Sequence, residues 1–157
     1  MADLEPRLNS LVATLRKRGC RITPQRMAIL RIFAESDGHP SVEQVYDRLH
    51  AEFPMTSLAT VYKTVALLKE EGQILELGFA GGGSRYDGRK PYPHPHLVCL
   101  HCQRILDPEL GLLADLSQEL SQRYGYHIVS HRLDFYGVCP ECQALGVTGG
   151  EPVAKTQ

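Results

Sequence analysis

Residues 57–87 read SLATVYKTVALLKEEGQILELGFAGGGSRYD, and their periodicity changes partway along. Leu58, Val61, Val65 and Leu68 recur at three- and four-residue intervals, which puts them on one face of a helix over 57–71 that stops at Gly72. Residues 74–79 then form a strand candidate, Gly81-Gly82-Gly83 a turn, and Ser84-Arg85-Tyr86-Asp87 the returning strand. A helix running into a short hairpin is the order of a winged helix-turn-helix. There the helix before the hairpin enters the major groove of DNA.

The residues upstream supply the other helices of that fold. Leu8, Leu11, Val12 and Leu15 line one helix face, ended by Gly19. Thr23-Pro24 is an N-cap followed by proline at the first helical position, opening a helix that turns Met27, Leu30 and Phe33 inward. Asp37-Gly38-His39-Pro40 stops it. Ser41 and Gln44 make a capping box for a third helix that buries Val42, Val45, Tyr46 and Leu49, and Phe53-Pro54 breaks that one.

Downstream, Gly88-Arg-Lys-Pro-Tyr-Pro-His-Pro reads as a stiff connector and the domain boundary. Beyond it, 97–99 and 105–106 are short strand candidates, and a helix over 110–124 is expected to bury Leu113, Leu116 and Leu120. Residues 127–136 alternate, which places Val129, Leu133 and Phe135 on one face of a strand. The tail from Gly146 shows no periodicity and is expected to be disordered. The expected fold class is α+β: a winged helix-turn-helix domain over 1–88, a small α/β domain over 89–145, and a disordered tail over 146–157.

The totals bound the function. A chain of 157 residues, 43% hydrophobic and 22% charged, is a globular protein of one ordinary domain or two small ones. No apolar run reaches the length of a membrane span. Met1-Ala-Asp-Leu-Glu-Pro lacks the basic start and apolar stretch of a secretory signal, so a cytoplasmic protein with no membrane role is expected. The net charge of −1 hides an asymmetry. Seven basic and no acidic residues lie between Arg7 and Ala34, whereas residues 91–157 hold four basic and seven acidic ones. That distribution fits an anion-binding first half, or simply a solvated helix face.

Of five cysteines, four form two C-x-x-C pairs, Cys99/Cys102 and Cys139/Cys142, separated by 36 residues. Each C-x-x-C turn brings two thiolates to one ion, and two such turns complete a tetrahedral four-sulfur shell with no open position. The expected cofactor there is structural Zn2+; redox-active thiols are the competing reading. Cys20 stands alone and reads as an inert thiol at a helix end. His94-Pro95-His96 is the second signal. In an extended segment residues i and i+2 project to the same side, so both imidazoles can face one ion. Asp87 and Asp107 are nearby carboxylates and His39 sits at a helix junction. A mixed nitrogen and oxygen shell suits iron(II), manganese(II) or zinc. From the residues alone, structural or solvated histidines are the more ordinary account.

Read in order, Arg21-Ile-Thr-Pro-Gln-Arg26, Ser57-Leu-Ala-Thr-Val-Tyr62, His94-x-His96-x-x-Cys99-x-x-Cys102 and His131-x-Leu133-x-x-Tyr136-Gly137-x-Cys139-x-x-Cys142 resemble the ferric uptake regulator family. The resemblance runs from about residue 8 to 143. It implies a homodimeric, metal-dependent repressor of transcription that binds a palindromic operator in double-stranded DNA, with the second domain carrying dimerisation. It implies a regulatory Fe2+ or Mn2+ held by His39, Asp87, His94, His96 and Asp107. Position 107 is aspartate, as in the peroxide-sensing branch, where iron-responsive members usually carry glutamate. In that branch iron(II) reacts with hydrogen peroxide and oxidises a ligand histidine (His39 and His94 are the candidates), and repression is lost. Pro93, Pro95 and Ala114 occupy positions of a second metal site common in iron-responsive members. The alternative within the family is a sensor of iron or manganese availability.

For DNA, helix 57–71 is expected to present Ser57, Thr60, Tyr62, Lys63 and Thr64 away from its apolar stripe. Tyr62 and Lys63 are the residues the resemblance places in the groove. Ser57 and Thr60 read equally well as capping residues. Arg16, Lys17, Arg18 and Arg26 are expected on the phosphate backbone or a narrow minor groove. A zinc hydrolase or deaminase would need an open metal position, and neither H-E-x-x-H nor H-x-E…P-C-x-x-C occurs. No enzymatic activity is expected.

Overall fold

The structure is a computed structural model describing residues 4–79, 82–111 and 113–149. It divides into two compact units between Tyr92 and Pro93. Among the described residues no helix is long and apolar enough to cross a membrane.

The first unit contains α1 (Leu4–Lys17), α2 (Pro24–Glu35), α3 (Val42–Glu52) and α4 (Leu58–Glu70), followed by β1 (Leu75–Phe79) and β2 (Gly82–Asp87). The helix starts follow local chemistry. The Thr23 hydroxyl accepts from the Arg26 N–H ahead of Pro24, and Ser41 and Gln44 close a reciprocal capping box. β1 and β2 pair antiparallel with an irregularity between Leu77 and Phe79, forming the wing. Of the expected Gly81-Gly82-Gly83 turn, Gly81 lies outside the described residues, as does Ala80, and Gly82 and Gly83 belong to β2. The core joins Leu11 and Leu15 of α1, Ile29, Leu30 and Phe33 of α2, Val45 and Leu49 of α3, and Val61, Val65 and Leu68 of α4. Each of these is almost wholly buried. Burying a single aliphatic side chain of this kind contributes about 1.5–3 kcal/mol, so the core accounts for the helical arrangement.

Two expectations for α4 need correcting. Leu58, expected inward, is 37% exposed, because it stands in the first turn where the helix projects beyond the core. Thr64, expected outward, is fully buried. Its hydroxyl donates to the Thr60 carbonyl at 3.0 Å, which satisfies the polar atom and lets the methyl pack inward.

The second unit contains β3 (Pro95–Cys99), β4 (Ile105–Leu106), α5 (Leu113–Tyr124), β5 (Leu133–Gly137) and the short α6 (Pro140–Ala144). Its sheet has the order β4-β3-β5. β3 pairs antiparallel with β4 and parallel with β5, and the parallel register sets His96 opposite Asp134 and Cys99 opposite Gly137. The strand expected over 127–136 is confined to 133–137, and Val129 is 85% exposed. Leu116 and Leu120, expected to be buried, are 49% and 40% exposed, as are Leu106 and Phe135 to a similar degree. The amphipathic pattern is real, but Leu116 and Leu120 stay exposed among the described residues. The side chain of Leu113 lies outside the described residues. Of the expected disordered tail, 150–157 also lie outside them. Gly146 and Val147 donate backbone hydrogen bonds to Gln143 and Cys142 at the end of α6.

Candidate metal centres and nucleic-acid interface

The four cysteines Cys99, Cys102, Cys139 and Cys142 are thiols, with no disulfide among them. β3 delivers Cys99 at its end, a tight turn with Gln103 at φ +60° returns Cys102, and Cys139 is the N-cap of α6, which carries Cys142. All four sulfurs lie within 4.8 Å of one another. Cys102 Sγ and Cys139 Sγ are 3.8 Å apart. A tetrahedron with Zn–S bonds of about 2.3 Å has an edge of about 3.8 Å, whereas a disulfide requires about 2.05 Å. The spacing therefore fits a four-sulfur ion shell and not a disulfide.

Burial pushes the Cys99 thiol up, but backbone N–H donors from Cys139, Cys102 and His101 outweigh it and bring it down to about 6. The Cys139 N–H donates to Cys99 Sγ at 3.3 Å. Cys142 is pushed up to about 12, by burial and then by the surrounding thiols. Thiols crowded in this way disfavour accumulating negative charge unless a cation sits among them.

In the first unit His39 and Asp87 form a buried pair, each 2% exposed, with His39 Nε2 3.1 Å from Asp87 Oδ2. His39 has a left-handed backbone, φ +49°. Its carbonyl is gripped by Arg85 Nε, while Arg85 Nη2 donates to the Gly38 carbonyl at 2.7 Å. Asp87, the last residue of β2, is fixed through Oδ1 by the backbone N–H groups of Arg89 and Lys90 at 2.8 and 2.9 Å. Burial raises its carboxyl, but the hydrogen bond from His39 and those two donors hold it below the usual range. Arg7 of α1 donates from Nε to the Gly88 carbonyl at 2.7 Å and ties the next residue down.

In the second unit His94, His96 and Asp107 converge. The two imidazole centroids are 4.3 Å apart. Asp107 Oδ2 lies 3.4 Å from His94 Nε2, and its Oδ1 lies 3.8 Å from His96 Nε2. Bonds of about 2.1 Å to one ion put neighbouring donors about 3.0–3.4 Å apart. The His39–Asp87 and His94–Asp107 pairs have that spacing, and His96–Asp107 is wider by about 0.4 Å, so the pair and the trio each have the chemistry of a partial shell. His96 Nδ1 is taken up by Asp134 at 3.1 Å. Sequence reasoning missed Asp134, which the alternation of 127–136 only sets on the face opposite Leu133 and Phe135 without naming a partner for it.

The DNA candidates fall into two groups. Tyr62 and Lys63 are exposed on α4, and the Tyr62 hydroxyl donates to Glu43 Oε1 of α3 at 2.8 Å. That bond raises the Tyr62 hydroxyl's pKa and, behind the backbone N–H of Glu43 itself, lowers the carboxyl of Glu43. Ser57 and Thr60 form the helix cap, with the Thr60 N–H donating to Ser57 Oγ at 3.3 Å. Arg16 and Lys17 are exposed in the last turn of α1, where they also complement the helix dipole. Arg18 is engaged with Glu70 and Glu71, each at 2.9 Å, and Arg26 Nη1 donates to the Arg21 carbonyl at 2.8 Å.

Together these units define a winged-helix protein with a thiol-clustered companion unit. Comparison with known proteins makes the assignment specific. The sequence pattern of the Ferric uptake regulator family matches residues 17–136, and the chain belongs to that family. It is 37% identical over 144 residues to the peroxide-responsive repressor PerR of Staphylococcus aureus, covering 90% of this chain and 95% of that one. Its fold is similar to that of the Helicobacter pylori ferric uptake regulator Fur, a protein described with three functional metal-binding sites. That likeness has a TM-score of 0.77 at 28% identity, over 89% of this chain and 93% of that one. The Campylobacter jejuni peroxide stress regulator matches with a TM-score of 0.68 at 29% identity, over 83% and 98% of the two chains.

Proposed function

We propose that the chain is a cytoplasmic, homodimeric, metal-dependent repressor that binds a palindromic operator and is released from it by hydrogen peroxide. The observation that carries this reading is the trio His94, His96 and Asp107, in which an aspartate, the shorter carboxylate, closes on two imidazoles. His39 and Asp87 complete a five-ligand shell for Fe2+ or Mn2+, since neither partial shell alone satisfies such an ion. Cys99, Cys102, Cys139 and Cys142 hold Zn2+ for structure, in a shell closed to substrate.

The protein's own residues would do the following. The backbone contacts that fix Asp87 and the left-handed turn that presents His39 keep those donors oriented toward an ion. Asp107 supplies charge, and the imidazoles supply nitrogen. Bound iron(II) would supply the electron transfer that lets hydrogen peroxide oxidise a nearby imidazole, and His39 and His94 are the side chains that would take up one oxygen, the other leaving as water. An imidazole altered in this way would be a poorer donor, the ion would be lost, and metal-dependent DNA binding would go with it.

Tyr62 and Lys63 of α4 read the groove, and Arg16, Lys17 and Arg26 meet phosphates, joined by Arg18 when it leaves its glutamates. Ser57 and Thr60 set the start of that helix. The exposed apolar residues of the second unit, Leu106 and Phe135 on its sheet and Leu116 and Leu120 on α5, are of the kind a second copy would cover.

The test loads the protein anaerobically with iron(II), adds about one to a few equivalents of peroxide, and maps peptides by mass spectrometry. One added oxygen on the His39 or His94 peptide, with loss of DNA binding, is the expected result. Unmodified histidines and retained binding at confirmed iron occupancy would replace this reading with an iron- or manganese-availability sensor.

A further inference from the structure

Asp134 plays no part in the shell just described, yet it is placed with care. Its side chain is 7% exposed, on β5, directly opposite His96 in the parallel ladder. Register partners in such a ladder present their side chains on the same face, so the contact follows from strand pairing. Asp134 Oδ1 lies 3.1 Å from His96 Nδ1. Its other oxygen accepts from Arg132 Nε at 2.5 Å. His96 Nε2 points the other way, toward Asp107.

A histidine that coordinates through one nitrogen needs the other to carry the proton, and a carboxylate on that N–H fixes the ring's orientation and makes the coordinating nitrogen a stronger donor. Arg132, two residues earlier on the same chain, occupies the second oxygen and so stops the carboxylate from rotating toward another partner.

We propose that Asp134, oriented by Arg132, is the positioning residue for His96: it accepts the Nδ1 proton, leaves Nε2 as the metal-binding atom, and thereby sets the affinity of the regulatory site. This rests on the sensor-site reading above. Asp134 itself touches no metal.

The experiment uses full-length, zinc-loaded protein titrated with Mn(II), free metal being read by electron paramagnetic resonance. Asp134→Ala weakens Mn(II) binding about 10–100-fold, with zinc per chain and the melting temperature of the manganese-free protein unchanged. Asp134→Asn, which keeps an acceptor without the charge, gives a smaller loss and covers the case in which the alanine variant folds poorly. Cobalt(II) at the site gives a readout that a merely structural role would not move: the hyperfine-shifted Nδ1 proton of His96 exchanges slowly in the parent and rapidly in Asp134→Ala. Binding within twofold of the parent in both variants, or a slowly exchanging proton that survives Asp134→Ala, overturns the proposal. His96→Ala separates the two readings, because undiminished Mn(II) binding in that variant overturns the sensor site itself.

Discussion

Gly88 follows Asp87 directly, and replacing it with alanine tests how tightly that carboxylate is built in. A Cβ at this position would lie 2.6 Å from Phe33 Cβ and 2.7 Å from the Phe33 carbonyl oxygen. Carbon atoms in contact rest about 3.5–4.0 Å apart, so roughly 1 Å of separation has to open. Phe33 is fully buried in the core of α2, and one of the clashing atoms is backbone, so a rotamer change cannot relieve it. Forced overpacking of this kind costs typically about 1–3 kcal/mol. For a unit of this size each kcal/mol lowers the melting temperature by about 4–8 °C, which gives a fall on the order of 5–20 °C for Gly88→Ala. Far-UV circular dichroism reports it, since most of the helix lies in the first unit. Gly83→Ala is the control, because nothing lies within 4 Å of its added Cβ. The Arg7 clamp on the Gly88 carbonyl must shift as well, so Mn(II) affinity falls alongside stability. A melting temperature within about 1 °C of the parent would refute the steric reasoning.

Two further outcomes follow from the geometry. Lys63→Ala weakens operator binding across sequences and lowers the slope of log K against log salt by about one if the ammonium meets a phosphate; fluorescence anisotropy at several salt concentrations checks it, and an unchanged affinity at parental stability removes Lys63 from the interface. Zinc uptake by the reduced, metal-free protein releases protons at pH 7.5, because the Cys142 thiol, pushed up to about 12, must ionise to bind, whereas Cys99, brought down to about 6, is already thiolate. Apparent zinc affinity therefore rises with pH, by at least about tenfold per unit near neutrality, and falls more steeply once Cys99 protonates below about pH 6. A chelator competition that is flat between pH 7 and 8 would contradict that protonation scheme.

The first unit was legible because its signals are local. Thr23-Pro24 and the Ser41/Gln44 box start helices within four residues of themselves, and the apolar spacing of α1 to α4 reports burial that the same unit supplies. The second unit was less legible for the opposite reason. Leu116 and Leu120 advertise an apolar face, but periodicity says only that such a face exists, not what covers it. Asp134 was missed because its partner is set by pairing between strands 38 residues apart, which no local pattern encodes. Thr64 was misjudged by residue type alone. The four cysteines were readable from spacing, whereas the joint role given to His39 and Asp87 came from family resemblance, since neither residue belongs to a compact motif.

The parallel pairing of β3 with β5 has one more consequence. Two rungs of that ladder, Leu97–Phe135 and Val98–Tyr136, separate the His96–Asp134 level from the Cys99–Gly137 level, where the thiol cluster begins. A slip of one residue would turn Asp134 to the opposite face of the sheet. The cysteine cluster, which joins the end of β3 to the segment just after β5, therefore acts as the latch that keeps the ladder in step. On the proposed reading, damage to the thiols would disable the histidine site without touching it, which would wire the two chemistries in series: the sulfur site would have to be intact before the imidazole site could respond.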